Sequence, residues 1–176
     1  CQSQAKARPD HPALRSPDGG VTRYDALNRQ VETIGSQMRR MGIRRRDVVA
    51  VVMPNGRSMA TVCLACCCTA RCAPLNPEYR EDEFRDQLAW LDAAVLLIPE
   101  GMASPARSAA IYAGIPVVDI VVEDGDYALR GAAAGEAEAP STDELAPLPD
   151  DIALVLLTSG TTARPKRVPL THRNIC

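Results

Sequence analysis

Aromatic residues are scarce: one Phe, one Trp and four Tyr in 176 residues. A surface that stacks nucleobases wants more of them. Charge of one sign is scarce too. Twenty basic residues against 22 acidic leave a net charge of −2, so no global basic field draws nucleic acid or an anionic membrane. No apolar run approaches the roughly 18 residues that a bilayer span requires. The start, Cys1-Gln2-Ser3-Gln4, is polar and lacks the apolar segment of an export signal, which points to the cytoplasm. The chain does not begin with Met, and it stops at Cys176 soon after an expected helix start. These features lead us to expect a piece of a longer protein. What is present is ordinary: 46% hydrophobic and 24% charged residues, a composition that folds. The length suits one domain.

Cysteine is abundant, with seven in all and five between Cys63 and Cys72. Cys63 and Cys66 are spaced C-x-x-C, which suggests zinc or redox chemistry. Zinc thiolates usually come as two separated pairs on turns, however. Here Cys63, Cys66, Cys67 and Cys68 sit in a run without Gly or Pro, Met59 to Ala70, that reads as helix. We therefore expect small buried packing residues, their thiols on several sides of the helix, and no metal site.

Strands and helices alternate. Val21 to Tyr24 reads as a strand. Leu27, Val31, Ile34, Met38 and Met41 then recur at helical spacing, closed by Gly42. Val48 to Met53 is a buried-type strand broken by Pro54-Asn55-Gly56. After the Cys-rich helix come a strand at Ala73 to Leu75 and a helix from Arg80 to Leu91. A strand from Ala94 to Ile98, a helix from Pro105 to Ala113, and strands at Pro116 to Val122 and Ile152 to Leu157 follow. The pattern predicts an α/β fold with a mainly parallel sheet flanked by helices. In such sheets ligands gather at the carboxyl ends of the strands.

Between Glu123 and Asp151 nine acids face one base, Arg130, among three Pro and a Gly/Ala-rich run. We expect an acidic, solvated surface excursion; the acids lack the spacing of an EF-hand. The rest of the chain is correspondingly basic, with Arg39, Arg40, Arg44, Arg45 and Arg46 at a helix end, where cations complement the helix dipole.

The densest chemistry follows the last strand. Thr158-Ser159-Gly160-Thr161-Thr162-Ala163-Arg164-Pro165-Lys166-Arg167 puts four hydroxyls, a Gly and several cations directly after buried strand residues. Hydroxyls and exposed N–H groups suit phosphate oxygens, Gly160 admits close backbone approach, and Lys166 is a flexible point charge. The P-loop pattern G-x-x-x-x-G-K-[ST] fails, because Pro165 and Arg167 occupy its second Gly and its Ser/Thr.

Residues 158–166, continuing through Val168-Pro169-Leu170-Thr171-His172, resemble the phosphate-loop signature of the AMP-forming adenylate-forming superfamily: acyl-CoA synthetases, peptide-synthetase adenylation domains and luciferases. Tyr24-Asp25-Ala26-Leu27 is similar to its early Tyr-x-x-Leu helix start. Val48 to Asn55 is similar to its strand ending in Pro-Asn, and Ala73 to Arg80 to its Pro-Leu-Asn-Pro-x-Tyr segment. Thr161-Thr162 and the Pro-Leu-Asn-Pro segment favour acyl-CoA synthetases; a peptide-synthetase-type domain and a non-catalytic remnant are the alternatives. Ala163, Arg167 and Arg46 depart from residues that are commonly Gly.

The resemblance implies the first part of the large N-terminal AMP-binding domain, residues 1–176, with the C-terminal domain absent. It implies a ligase that activates a carboxylic acid with ATP and Mg²⁺, releases pyrophosphate and passes the acyl group to CoA. Thr158, Ser159, Gly160, Thr161, Thr162 and Lys166 would bind phosphate, and no catalytic nucleophile or base is expected from these residues. His172, behind Thr171 at a helix start, is expected to position structure. The implied partners are small molecules, with no nucleic acid and no membrane span.

Overall fold

The computed structural model describes residues 2–131, 147–158 and 166–176. A seven-stranded sheet runs in the order β7-β6-β5-β3-β4-β8-β9. Its strands are β3 (Val48–Val51), β4 (Arg71–Pro74), β5 (Ala93–Pro99), β6 (Val117–Glu123), β7 (Asp126–Arg130), β8 (Ile152–Thr158) and β9 (Lys166–Thr171). The four inner pairings, β6-β5, β5-β3, β3-β4 and β4-β8, are parallel, and the two outer ones are antiparallel. The expected α/β architecture with a mainly parallel sheet is present.

The central strands explain the layering. Val49, Val51 and Met53 face one way, into a cluster with α2 (Tyr24–Arg40) and α3 (Arg57–Thr69). Val48, Ala50 and Val52 face the other way, against α4 (Glu81–Leu91) and α5 (Pro105–Tyr112). The chain moves outward from β3 to β4, then steps back past β3 to β5 and on to β6. Right-handed crossovers in opposite directions put the connecting helices on opposite faces. That is why α3 covers one face, and α4 and α5 the other.

Each helix has a local reason to exist. Leu27, Val31, Ile34 and Met38 form one buried stripe on α2. The helix ends in a Schellman turn: Gly42 (φ 82°) donates to the Arg39 carbonyl at 3.0 Å and Ile43 to the Met38 carbonyl at 3.1 Å. On α4 the Glu83 carboxylate accepts from the Arg80 N–H at 2.8 Å, and Phe84, Leu88 and Leu91 are buried. Ser104 caps α5, its Oγ accepting from the Ala106 N–H at 3.2 Å, with Pro105 in the first turn.

Four elements differ from the expectation. The short α1 (Gln2–Ala7) buries no residue, so it carries no apolar stripe to detect. Strand β1 (Pro12–Arg15) pairs with β2 (Val21–Arg23) in a separate two-stranded sheet, too short for a periodic signal. Strand β9 carries Pro169, tolerated because β9 is an edge strand.

Strand β7 is a correction to the solvated reading of 123–151. Asp124-Gly125, both at positive φ, make a two-residue turn of the Asp-Gly type between β6 and β7. Tyr127 and Leu129 then alternate into the core on the α2 side. Gln37 of α2 grips the hairpin with both ends of its amide. Its Nε2 donates to the Tyr127 carbonyl at 2.9 Å and its Oε1 accepts from the Leu129 N–H at 2.7 Å. The acids hid a five-residue alternation. At the far end of the same segment Asp150 and Asp151 are also engaged, as described below, while residues 132–146 lie outside the described residues.

Leu129→Ala should therefore lower stability by about 2 kcal/mol or more, the cost of deleting a core leucine. Urea denaturation measures it; a change under about 0.5 kcal/mol is what a solvated strand would give.

Candidate phosphate-binding site

Strand β8 lies parallel to β4, with Cys72 opposite Leu154, so Thr158 reaches the edge of the sheet where the parallel strands end. Strand β9 returns antiparallel along β8, and its first residue, Lys166, pairs with Thr158. The hydroxyl that opens the candidate motif and the ammonium that closes it therefore sit on adjacent strand ends, both exposed. Ser159, Gly160, Thr161 and Thr162 lie outside the described residues. A hydroxyl and an ammonium side by side at a strand end can donate to an anion. Among the described residues no group of three or more His, Cys, Asp or Glu side chains is placed to hold a metal ion.

Two other segments of the resemblance end at the same edge. β3, β4 and β8 are consecutive in the sheet. Pro54-Asn55 follows β3, and Leu75-Asn76-Pro77 follows β4, where the Leu75 N–H donates to the Val51 carbonyl at 2.9 Å. The Asn76 side chain accepts from the Glu78 N–H at 3.1 Å, and the Tyr79 N–H donates to the Asn76 carbonyl, fixing a turn there. Tyr79 meets Phe84 edge to face, ring centroids 5.7 Å apart, which ties this turn to the core under α4.

The start of β8 is anchored from the opposite end. Asp151 accepts from the Leu148 N–H at 2.7 Å and pairs with Arg45 at 3.4 Å, both side chains about three-quarters buried. Part of the Arg run thus holds structure: Arg45 on Asp151, and the Arg44 N–H on the Asp47 carboxylate at 2.7 Å. Asp150 takes a two-pronged contact from Arg173 at 2.9 and 3.2 Å. His172 opens α6 (His172–Ile175) behind Thr171, whose Oγ accepts from the Asn174 N–H at 3.3 Å. The His172 N–H donates to the Asp151 carbonyl at 3.0 Å, so its backbone closes the base of the β8–β9 pair.

Sequence reasoning missed the role of Arg167. Its guanidinium lies over the Trp90 ring, 5.0 Å from the centroid, and donates to the Trp90 carbonyl at 2.9 Å. It clamps β9 to the end of α4 and alternates away from Lys166 along the strand. A cation next to an aromatic 77 positions away leaves no local signal.

The chain matches the model of the AMP-binding enzyme family over residues 1–176, and it belongs to that family. The oxalate–CoA ligase of Arabidopsis thaliana is 35% identical over 177 aligned residues, covering 99% of this chain and 34% of that protein. The phosphinothricin tripeptide synthetase PhsC of Streptomyces viridochromogenes is 30% identical, covering 99% of this chain and 15% of that protein. Among solved structures, apo MatB from Rhodopseudomonas palustris superposes with a TM-score of 0.72 at 24% identity, over 95% of this chain and 33% of that one; its ATP-bound form gives 0.71. The chain spans about a third of the CoA ligases it matches. Its kin are CoA ligases and peptide synthetases, enzymes of the adenylate-forming class. No helix among the described residues is long and apolar enough to cross a membrane.

Asp151→Ala should destabilise the chain by about 1–3 kcal/mol, because it strands the largely buried Arg45 guanidinium and the Leu148 N–H. Chemical denaturation reads the loss. Asp150→Ala, an exposed pair, should stay within about 1 kcal/mol.

Proposed function

We propose that this chain supplies the polyphosphate-binding part of an ATP-dependent acid–CoA ligase, and that Thr158, Ser159, Gly160, Thr161, Thr162 and Lys166 hold the phosphates of ATP. The observation that carries the reading is the pairing of Thr158 with Lys166 at the carboxyl edge, on the strand next to the two other family-like turns. The chemistry asked of these residues is electrostatic. When a carboxylate attacks the α-phosphorus, negative charge builds on the departing pyrophosphate, and fixed donors stabilise it. Lys166 brings a full positive charge, and the hydroxyls bring donors that need no change of protonation. No nucleophile or general base from this chain is required.

Magnesium fits as an ion carried mainly by the polyphosphate, with hydroxyl rather than carboxylate donors from this chain; when bound it neutralises phosphate charge. The acyl adenylate would then pass to CoA, as the kinship to CoA ligases supports. Kinship to a peptide synthetase over 99% of the chain supports a second acceptor, the thiol of a carrier protein. The near-balanced charge supports small-molecule partners rather than nucleic acid, and a cytoplasmic setting is part of the same proposal.

The residues proposed here cover the phosphates alone, so the 176-residue chain by itself should release no pyrophosphate above background from ATP and a panel of acids. In a polypeptide that carries the whole adenylating activity, Lys166→Ala should lower kcat/KM for ATP roughly ten- to a hundredfold, the loss of one charged hydrogen bond. Ala163→Gly should change it far less. Unchanged ATP kinetics in the Lys166 variant would remove these residues from the mechanism. Comparing CoA with a carrier protein as acceptor separates the two readings.

A further inference from the structure

A cavity of about 650 Å³ lies on the α4 side of the sheet, beside the carboxyl end of that helix. Its floor is apolar: Val48, Ala93, Val155 and Pro169 from the strands, and Leu91 from α4. Strand pairing explains how guanidiniums enter it. Arg71 opens β4 opposite Val48, so its side chain stands on the face that Val48 shares with α4. Arg46 precedes β3 by two residues and lines the same space. Arg167 enters from β9 and ends on Trp90. Three segments far apart in sequence thus each bring one guanidinium to one cavity.

The three are not equivalent. Arg167 is committed to the Trp90 carbonyl at 2.9 Å, which offsets the negative end of α4. Among the described residues the side chains of Arg46 and Arg71 form no ion pair. Arg71 is half-buried and fixed through its backbone, whose N–H donates to the Asp47 carbonyl at 2.9 Å. The nearby acids do not cancel this charge. The Asp47 carboxylate accepts from the Arg44 N–H, and Asp92 is exposed. With the neighbouring Arg44, Arg45 and Asp151, five guanidiniums meet three carboxylates. Arg46 and Arg167 both stand where Gly is common in the family, so the charge is particular to this chain.

We propose that this cavity binds a small amphiphile: an oxyanion head, carboxylate or phosphate monoester, on a short apolar body. The planar fork of a guanidinium matches two oxygens of such a head, and Arg46 and Arg71 supply two forks without an ion-pair partner among the described residues. The apolar floor takes the body. Ligand cavities are built this way, mostly apolar with a few placed polar groups. A bare inorganic anion would leave the floor unused, and a neutral molecule would leave the guanidiniums without an anion. None of the lining residues belongs to the proposed phosphate-binding set, so the site stands or falls independently of it.

The test is titration calorimetry of the 176-residue chain with sodium octanoate, octyl phosphate, octanol and inorganic phosphate. Octanoate, octyl phosphate or both should bind saturably, and the tighter of the two names the head. Octanol and inorganic phosphate should each bind about tenfold more weakly or worse, since each lacks half of the match. Arg46→Gly and Arg71→Gln should each raise Kd about tenfold, the loss of a charged hydrogen bond. Lys166→Ala should leave Kd unchanged. Arg46 is exposed, so its variant decides if Arg71→Gln fails to fold. Absence of saturable binding by both amphiphiles overturns the proposal. So does octanol binding as tightly as octanoate, or an unchanged Kd in Arg46→Gly. Loss of binding in Lys166→Ala overturns it too, because the anion would then sit on the phosphate-binding residues.

Discussion

The structure depends on the burial of β3 on both faces. Val49, Ala50, Val51 and Val52 have no exposed surface, so every backbone group between them must pair within the sheet, and both side-chain rows must meet a helix. β4 and β5 supply the pairing on either side. The helices come from the crossovers that parallel pairing requires. From this one strand follow the three layers, the position of α3 against β4, and the alignment of strand ends at one edge.

The antiparallel outer strands solve a different problem. A parallel core leaves two open edges, and here each is extended by a strand that folds straight back. β7 closes one side through an Asp-Gly turn and the grip of Gln37, and β9 closes the other through its pairing with β8. The second return has a chemical by-product. It brings Lys166 beside Thr158, so that two ends of one motif meet across a strand pair. Arg167, the neighbour of Lys166, is committed to Trp90, and the alternation of the strand keeps the two cations apart.

Charge does structural work at the opposite edge of the sheet. Asp151 receives Arg45 and the Leu148 N–H just before β8 begins, and its carbonyl receives the His172 N–H just after β9 ends. A partly buried carboxylate with these partners sets where β8 starts, and therefore where Thr158 arrives seven residues later. The acidic and basic runs of the sequence, which suggested only solvated surface, meet here in one anchor.

The inner strands, the amphipathic helices and the phosphate-loop resemblance are legible in the chain before it folds. Each is written in contiguous residues: the apolar run Val48 to Met53, the stripe Leu27-Val31-Ile34-Met38, the hydroxyl-rich stretch after Leu157. Periodicity and local chemistry report such features directly. Which strands are neighbours, that Tyr127 and Leu129 belong to the core despite their acidic surroundings, and that Arg167 serves Trp90 emerge with folding. These are contacts between distant or differently oriented segments. Their energy comes from packing and desolvation that exist only once the chain has closed on itself, so no local pattern encodes them.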